Sequence, residues 1–112
     1  MNHYSPLLGI IAFLFLVIST TLTYAECGIA STYGEGTRTA TGERYNPWGI
    51  TAAHRTRKMG SHVRVRNMRT GKEIELRIND YGPAAWTHRI IDLSLGAARA
   101  LGVSGLAFVC ID

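Results

Sequence analysis

The stretch His62-Val63-Arg64-Val65-Arg66, joined through Asn67 to Lys72 with its Thr70-Gly71 step to Glu73-Ile74-Glu75-Leu76-Arg77-Ile78, alternates polar and apolar residues on both sides of a turn. A period of two marks a strand with one covered face, so these residues predict a β-hairpin. Arg64 and Arg66 would then face Glu73 and Glu75 across the pair, which assigns part of the local charge to sheet pairing. Farther along, Arg89-Ile90-Ile91-Asp92-Leu93 reads as another strand. Ser94 caps a helix through Ala97, Ala98 and Leu101 that Gly102 stops, and Leu106 to Ile111 forms a last strand.

The two cysteines, Cys27 and Cys110, lie at opposite ends of this region. An even pair in an exported domain reads as a disulfide, and pairing these two requires adjacent chain ends. Strands interrupted by one short helix, with stapled ends and neither repeat nor linker after Glu26, predict a closed barrel. The length allows one domain, 26–112, with a thin stability margin.

The first 25 residues contain no Lys, Arg, Asp or Glu. Pro6 to Ile18 is an almost unbroken apolar run, and the polar stretch after it ends in small residues at Ala25. That is the pattern of a secretory signal peptide, here with only the α-amino group and His3 to supply positive charge at its start. The run is shorter than the roughly 20 residues of a membrane span. Residues 1–25 are therefore expected to be removed, leaving Glu26 first, no stable membrane anchor, and a monomeric periplasmic or secreted product. Glu26 stands where a lipoprotein signal needs a small residue before its cysteine, so acylation of Cys27 is not expected.

The net charge of +4 is unevenly spread: seven Lys and Arg residues occur from Arg55 to Lys72, with no acidic residue between Glu43 and Glu73. An anionic polymer or a solvated charged face fits this cluster. Nucleic acid does not, because an exported chain without a helix-turn-helix, finger or RNA-binding signature lacks the means to read it.

Three segments occur in a telling order. Ala30-Ser31-Thr32-Tyr33-Gly34 precedes Thr39-Ala40-Thr41-Gly42-Glu43-Arg44-Tyr45; Thr51-Ala52-Ala53-His54-Arg55-Thr56 follows; Arg77-Ile78-Asn79-Asp80-Tyr81-Gly82-Pro83 then leads to Arg89-Ile90-Ile91-Asp92-Leu93-Ser94. Together they resemble the rare-lipoprotein-A family from about Gly28 to the C-terminus. The resemblance implies a mainly β fold, a six-stranded double-psi β-barrel with one short helix. It also implies a lytic transglycosylase that cleaves β-1,4 MurNAc-GlcNAc bonds in peptidoglycan glycan strands stripped of stem peptides, leaving 1,6-anhydromuramic ends. The family's functional positions match Glu43, His54 and Asp80, and the catalytic Asp of barrel relatives matches Asp92. Tyr33, Tyr45, Arg55 and Tyr81 are the expected substrate contacts. The chain departs from the family at Thr32, where a Trp is usual, at Arg57-Lys58-Met59-Gly60-Ser61, and at Tyr81, where an Arg is usual. These departures keep a second reading open, a non-catalytic expansin-like glycan-binding or wall-loosening module.

Breaking the glycosidic bond needs a carboxylic acid that holds its proton near neutral pH, which burial provides. Asp80 shares the parity of Ile74, Leu76 and Ile78, so a continued strand would bury it on the apolar side. This makes Asp80 the expected general acid and then base, with His54 and Glu43 placing its proton or binding sugar and Asp92 ranked below. Each has a plainer reading: an Asx-turn for Asp80, an exposed turn acid for Glu43, a hydrogen-bonded structural histidine for His54, and a charge near a helix start for Asp92. Paired metal-ligand spacing is absent from Glu43, His54 and Asp80, so neither metal nor cofactor is expected. Tyr33, Tyr45, Trp48 and Trp86 are candidates for core or rim packing, with two of them, if they flank the groove, available as sugar platforms.

Overall fold

The computed structural model describes residues 24–34, 36 and 38–112; residues 1–23, most of the expected leader, lie outside them. The elements are β1 (Glu26–Tyr33), β2 (Thr51–Ala53), β3 (His62–Asn67), β4 (Glu73–Asp80), a 3-10 turn (Ala85–Thr87), β5 (Arg89–Ser94), α1 (Leu95–Leu101) and β6 (Ala107–Ile111). The strands close into a barrel in the order β1-β5-β2-β4-β3-β6. Parallel pairs β1·β5 and β2·β4 are joined by antiparallel ones. This is the six-stranded barrel with one short helix that the resemblance implied. Among the described residues, no helix is long and apolar enough to cross a membrane.

The hairpin forms as the alternation requires. Val63 pairs with Leu76 and Val65 with Ile74, and Val63, Val65, Leu76 and Ile78 enter the core. Ile91 and Leu93 from β5 and Val109 and Ile111 from β6 complete the inner wall, and Ala97, Ala98 and Leu101 of α1 pack onto it. Each large side chain so buried contributes roughly 1.5–3 kcal/mol. On the outside, Arg64 and Arg66 both approach Glu73, at 3.6 and 3.8 Å; such exposed pairs stabilise by about 0–1 kcal/mol.

The helix is bounded as its residues dictate. Ser94 Oγ accepts the Ala97 N–H at 3.1 Å, and Gly102 ends the helix at φ 73°. A helix start so capped satisfies one of its free amide donors. Asn67, fully buried, donates from Nδ2 to Leu101 O at 3.0 Å and ties the barrel wall to the other end of α1.

Two features set the geometry of the outer wall. The first is the seat of the long connection 34–50: a Cβ on Gly96 would lie 2.4 Å from Trp48 O, so only glycine admits that backbone, and Gly96 N–H donates to Pro47 O at 2.8 Å. The second is an extra residue in β4. Ala52 pairs with Ile78 but Ala53 with Asp80, leaving Asn79 out of register. A bulge of this kind shifts every later side chain to the other face. Ile78 and Asn79 are both buried and Asp80 is half-buried, which corrects the expectation that unbroken alternation would bury Asp80.

Candidate active site

β2 stands between β4 and β5, and its Ala53 pairs with Asp80 on one side and Asp92 on the other. With strands about 4.8 Å apart, the two acidic residues lie at one level with backbones about 10 Å apart. Gly82 lies against this level: a Cβ there would sit 3.9 Å from Asp92 Oδ2 and 4.0 Å from Ala53 Cβ, in ordinary contact with both.

Each carboxylate is oriented by a different element. Asp92 Oδ1 accepts a short hydrogen bond from the hydroxyl of Ser31, a buried β1 residue opposite it in the sheet. Asp80 Oδ1 accepts the backbone N–H groups of Ala40 at 3.1 Å and Tyr81 at 2.9 Å. The Ala40 bond docks the turn 39–43 on the end of β4, helped by Thr41 N–H to Asn79 O at 3.3 Å. Gly42 at φ 87° closes that turn, a conformation glycine adopts without steric cost.

The turn delivers Glu43 to Arg77 of β4. The guanidinium grips the carboxylate with both nitrogens, at 2.8 and 2.9 Å, and Thr41 Oγ1 adds a bond at 3.0 Å. Arg77 above all, with Asn79 and Thr41, outweighs partial burial and lowers the Glu43 carboxyl from 4.5 to about 2. Glu43 is thus anionic at neutral pH and has no proton to donate. Because its folded value is depressed, its stabilising contribution is complete above about pH 4.5 and is lost as pH falls toward about 2. Glu43→Gln should therefore melt below the wild type at neutral pH, and the gap should narrow through that acid window. Thermal melts of both proteins across the pH range check this; a constant gap contradicts it.

Tyr33 and Tyr45 complete the site. Their rings stack with centroids 4.9 Å apart, and Tyr45 Oη donates to Tyr33 O at 2.8 Å. The Tyr33 hydroxyl is buried with no hydrogen-bond partner among the described residues. Burial pushes this phenol up most, with the neighbouring Tyr45 phenol and then the Asp80, Asp92 and Glu43 carboxyls adding to it. A protonated phenol thus lies within the field of three carboxylates. Beside Tyr45, Gly36, Arg38 and Arg44 line a concavity of 510 Å³.

The remaining candidates lie elsewhere. The His54 ring is buried, with Nε2 2.7 Å from Glu26 Oε1 and Nδ1 accepting the N–H groups of Thr56 and Arg57, both at 3.1 Å. This pattern places a proton on Nε2 and turns the ring toward the start of β1, in the manner of a structural histidine. Its backbone N–H, bonded to Asp80 O at 3.0 Å, is what ties His54 to the site. Arg55 donates to Pro83 O and Arg89 O, and Tyr81 is exposed. Among the described residues no three His, Cys, Asp or Glu side chains converge as metal ligands.

Ser31, Arg77 and Asn79 were not singled out by the sequence. Ser31 has a local signal, since it lies two positions before Tyr33 on one strand and shares its parity. Arg77 and Asn79 have none, because their roles depend on a turn contributed from more than 30 residues earlier.

Comparison with known proteins follows the same lines. The chain is 48% identical over 99 residues to a "Probable endolytic peptidoglycan transglycosylase RlpA" of Synechocystis sp., covering 84% of this chain and 30% of that protein. It is 43% identical over 101 residues to the "Endolytic peptidoglycan transglycosylase RlpA" of Yersinia pestis, covering 88% and 28%. The chain thus spans less than a third of the length of these relatives. Among solved structures it resembles the Streptomyces papain inhibitor in fold, with a TM-score of 0.58 at 17% identity over 80% of this chain and 96% of that one. The lytic transglycolase family model matches residues 25–111, which include all six strands of the barrel. The chain belongs to the lytic transglycolase family of double-psi β-barrel domains.

Proposed function

We propose that this domain is an endolytic peptidoglycan transglycosylase acting outside the cytoplasm, in the periplasm or after secretion. The observation that carries the reading is the level placement of Asp80 and Asp92 on either side of Ala53, beneath a turn that fixes Glu43 as an anion. The names of the relatives and the Cys27–Cys110 disulfide, a bond of oxidising compartments, support it. The substrate is the β-1,4 MurNAc-GlcNAc bond of glycan strands, with strands lacking stem peptides preferred.

Asp80 is the general acid once bound glycan covers its half-buried carboxyl and withdraws it from water, which favours the protonated form. Its carboxyl gives a proton to the glycosidic oxygen as the bond to the anomeric carbon breaks, releasing a free 4-hydroxyl on the departing GlcNAc. The carboxylate then takes the proton of the muramic 6-hydroxyl, whose oxygen bonds to the anomeric carbon and closes the 1,6-anhydro ring. One residue thus serves both halves, and no water is consumed. Asp92, oriented by Ser31, stabilises positive charge developing on the sugar. Glu43 holds the muramic residue by hydrogen bonds, and His54 positions the 54–57 turn.

Digestion of purified, stem-peptide-free strands tests the proposal. Product fragments should end in 1,6-anhydromuramic residues, lighter by one water than the reducing ends that hydrolysis leaves. Strands bound without any anhydro product, under conditions where a known lytic enzyme works, would favour the expansin-like binding module instead.

A further inference from the structure

The connection from Asp80 to Asp92 carries an exposed indole on a rigid mount. Arg55 clamps both ends of this loop, donating to Pro83 O at 2.6 Å and Arg89 O at 2.8 Å. Within it, Thr87 Oγ1 donates to Ala84 O at 2.7 Å and accepts the Arg89 N–H at 3.2 Å. His88 holds φ 59°, the left-handed region, and is the non-glycine residue that does so among the described residues. That conformation is the C-cap that ends the 3-10 turn, with the His88 N–H donating to Ala85 O. The 3-10 turn so held buries none of its residues, and Trp86 is 80% exposed. An indole in water contributes nothing to the core, so packing does not explain the exposure of Trp86.

Beside Trp86 lies a concavity of 440 Å³, lined also by Ile29, Thr87, His88, Arg89 and Leu106. Its place relative to the site follows from the β1·β5 register: Ile29 pairs with Arg89, and Ser31 pairs with Asp92. The β1·β5 register shifts between Ile29 and Ala30 through an extra β5 residue, Ile90, but β1 itself stays regular against β6, so with Ala30 pointing into the core beside Ile91 its alternation sets Ile29 and Ser31 on the opposite side of β1. Two residues of strand span about 6.6 Å. The concavity therefore continues the wall that carries Asp92 and its Ser31 partner, with an aromatic face and the polar groups of His88 and Arg89 at its edge.

We propose that this concavity is a second sugar-binding subsite, where Trp86 stacks on the C–H face of a pyranose ring in a strand that extends past the bond cleaved. The proposal rests on the glycan reading above and adds a preference for longer strands. A flat π face flanked by hydrogen-bonding groups suits a sugar ring, which is apolar on its faces and hydroxylated at its edge.

Calorimetric titration with stem-peptide-free tetrasaccharide and octasaccharide tests it, in an Asp80→Asn background so that ligand length is preserved. The parent should bind the octasaccharide more tightly. Adding Trp86→Ala should erase most of that gain, a loss of roughly five- to tenfold, while Trp86→Phe retains most of it. Equal length dependence in the parent and Trp86→Ala, or equal loss for both ligands, would overturn the subsite. Trp86-dependent length preference in a protein that releases no anhydro ends would uphold the subsite and refute the lytic reading. Anhydro products with length-independent binding would do the reverse.

Discussion

Asp80→Asn is expected to reduce release of anhydro products by at least roughly a thousandfold, because one carboxyl performs both proton transfers and each is worth 10²–10⁴-fold. The substitution is close to isosteric, and the amide keeps an oxygen to accept the Ala40 and Tyr81 N–H groups that orient Asp80. Docking of the 39–43 turn is therefore preserved, and strand binding should persist. What is lost is the titrating proton. Asp92→Asn provides the contrast: it leaves Asp80 intact and alters the partner of the Ser31 hydroxyl, so turnover should fall by a smaller factor, with weaker binding or lower stability. Rates from chromatographic separation of anhydro-ended fragments, alongside binding of the same strands, decide the matter. Equal turnover in the wild type and Asp80→Asn would remove Asp80 from the chemistry. A larger loss from Asp92→Asn would exchange the two roles.

The parts of the fold that the sequence made legible are those in which local pattern and tertiary environment agree. The β3–β4 hairpin, the Ser94-capped helix and the last strand, beginning at Ala107 one residue later than expected, all obey simple periodicity. β1 and β2 do not. The first carries Gly28, where a Cβ would meet Ile90 at 2.8 Å, and its register with β5 shifts between Ile29 and Ala30; the second is three residues long. Neither reads as a strand from its residues, and the family resemblance implies only that the barrel has six. Parity failed at Asp80 because one out-of-register residue, Asn79, precedes it, and no alternation rule anticipates a bulge. The site divides in the same way. Carboxyl-bearing positions were visible in the motifs, whereas the Arg77 grip on Glu43 and the Ser31 bond to Asp92 join residues 34 and 61 positions apart. Arg55 donates from Nη1 to two backbone carbonyls, a contact that the basic cluster in the sequence did not anticipate.

Replacing Cys27 and Cys110 together by Ser should lower the stability of the domain by about 4 kcal/mol, chiefly through the unfolded chain. The bond joins residues 83 apart, so it closes a loop containing nearly the whole barrel, for which the chain-entropy model gives about 4.5 kcal/mol. In the folded state the bond has little left to do. Cys27 and Cys110 already face each other on β1 and β6, whose pairing runs from Glu26 with Ile111 to Ala30 with Ala107, and Asp112 N–H donates to Arg64 O at 3.2 Å. The ladder therefore remains when the sulfurs are gone, and the barrel should keep its shape while its unfolded form gains freedom. A domain of this size has a stability of about 5–15 kcal/mol, so the loss is a large fraction of the whole. At about 4–8 °C per kcal/mol the melting temperature should drop by roughly 15–30 °C. Melts of the wild type with and without reductant, set beside the double serine variant, measure it, and intact masses under both conditions establish the bond and the absence of an acyl group. Reduction and double substitution should give the same lowered midpoint. A midpoint displaced by only a few degrees in both would show that the β1–β6 ladder, and not the covalent loop, holds the barrel closed.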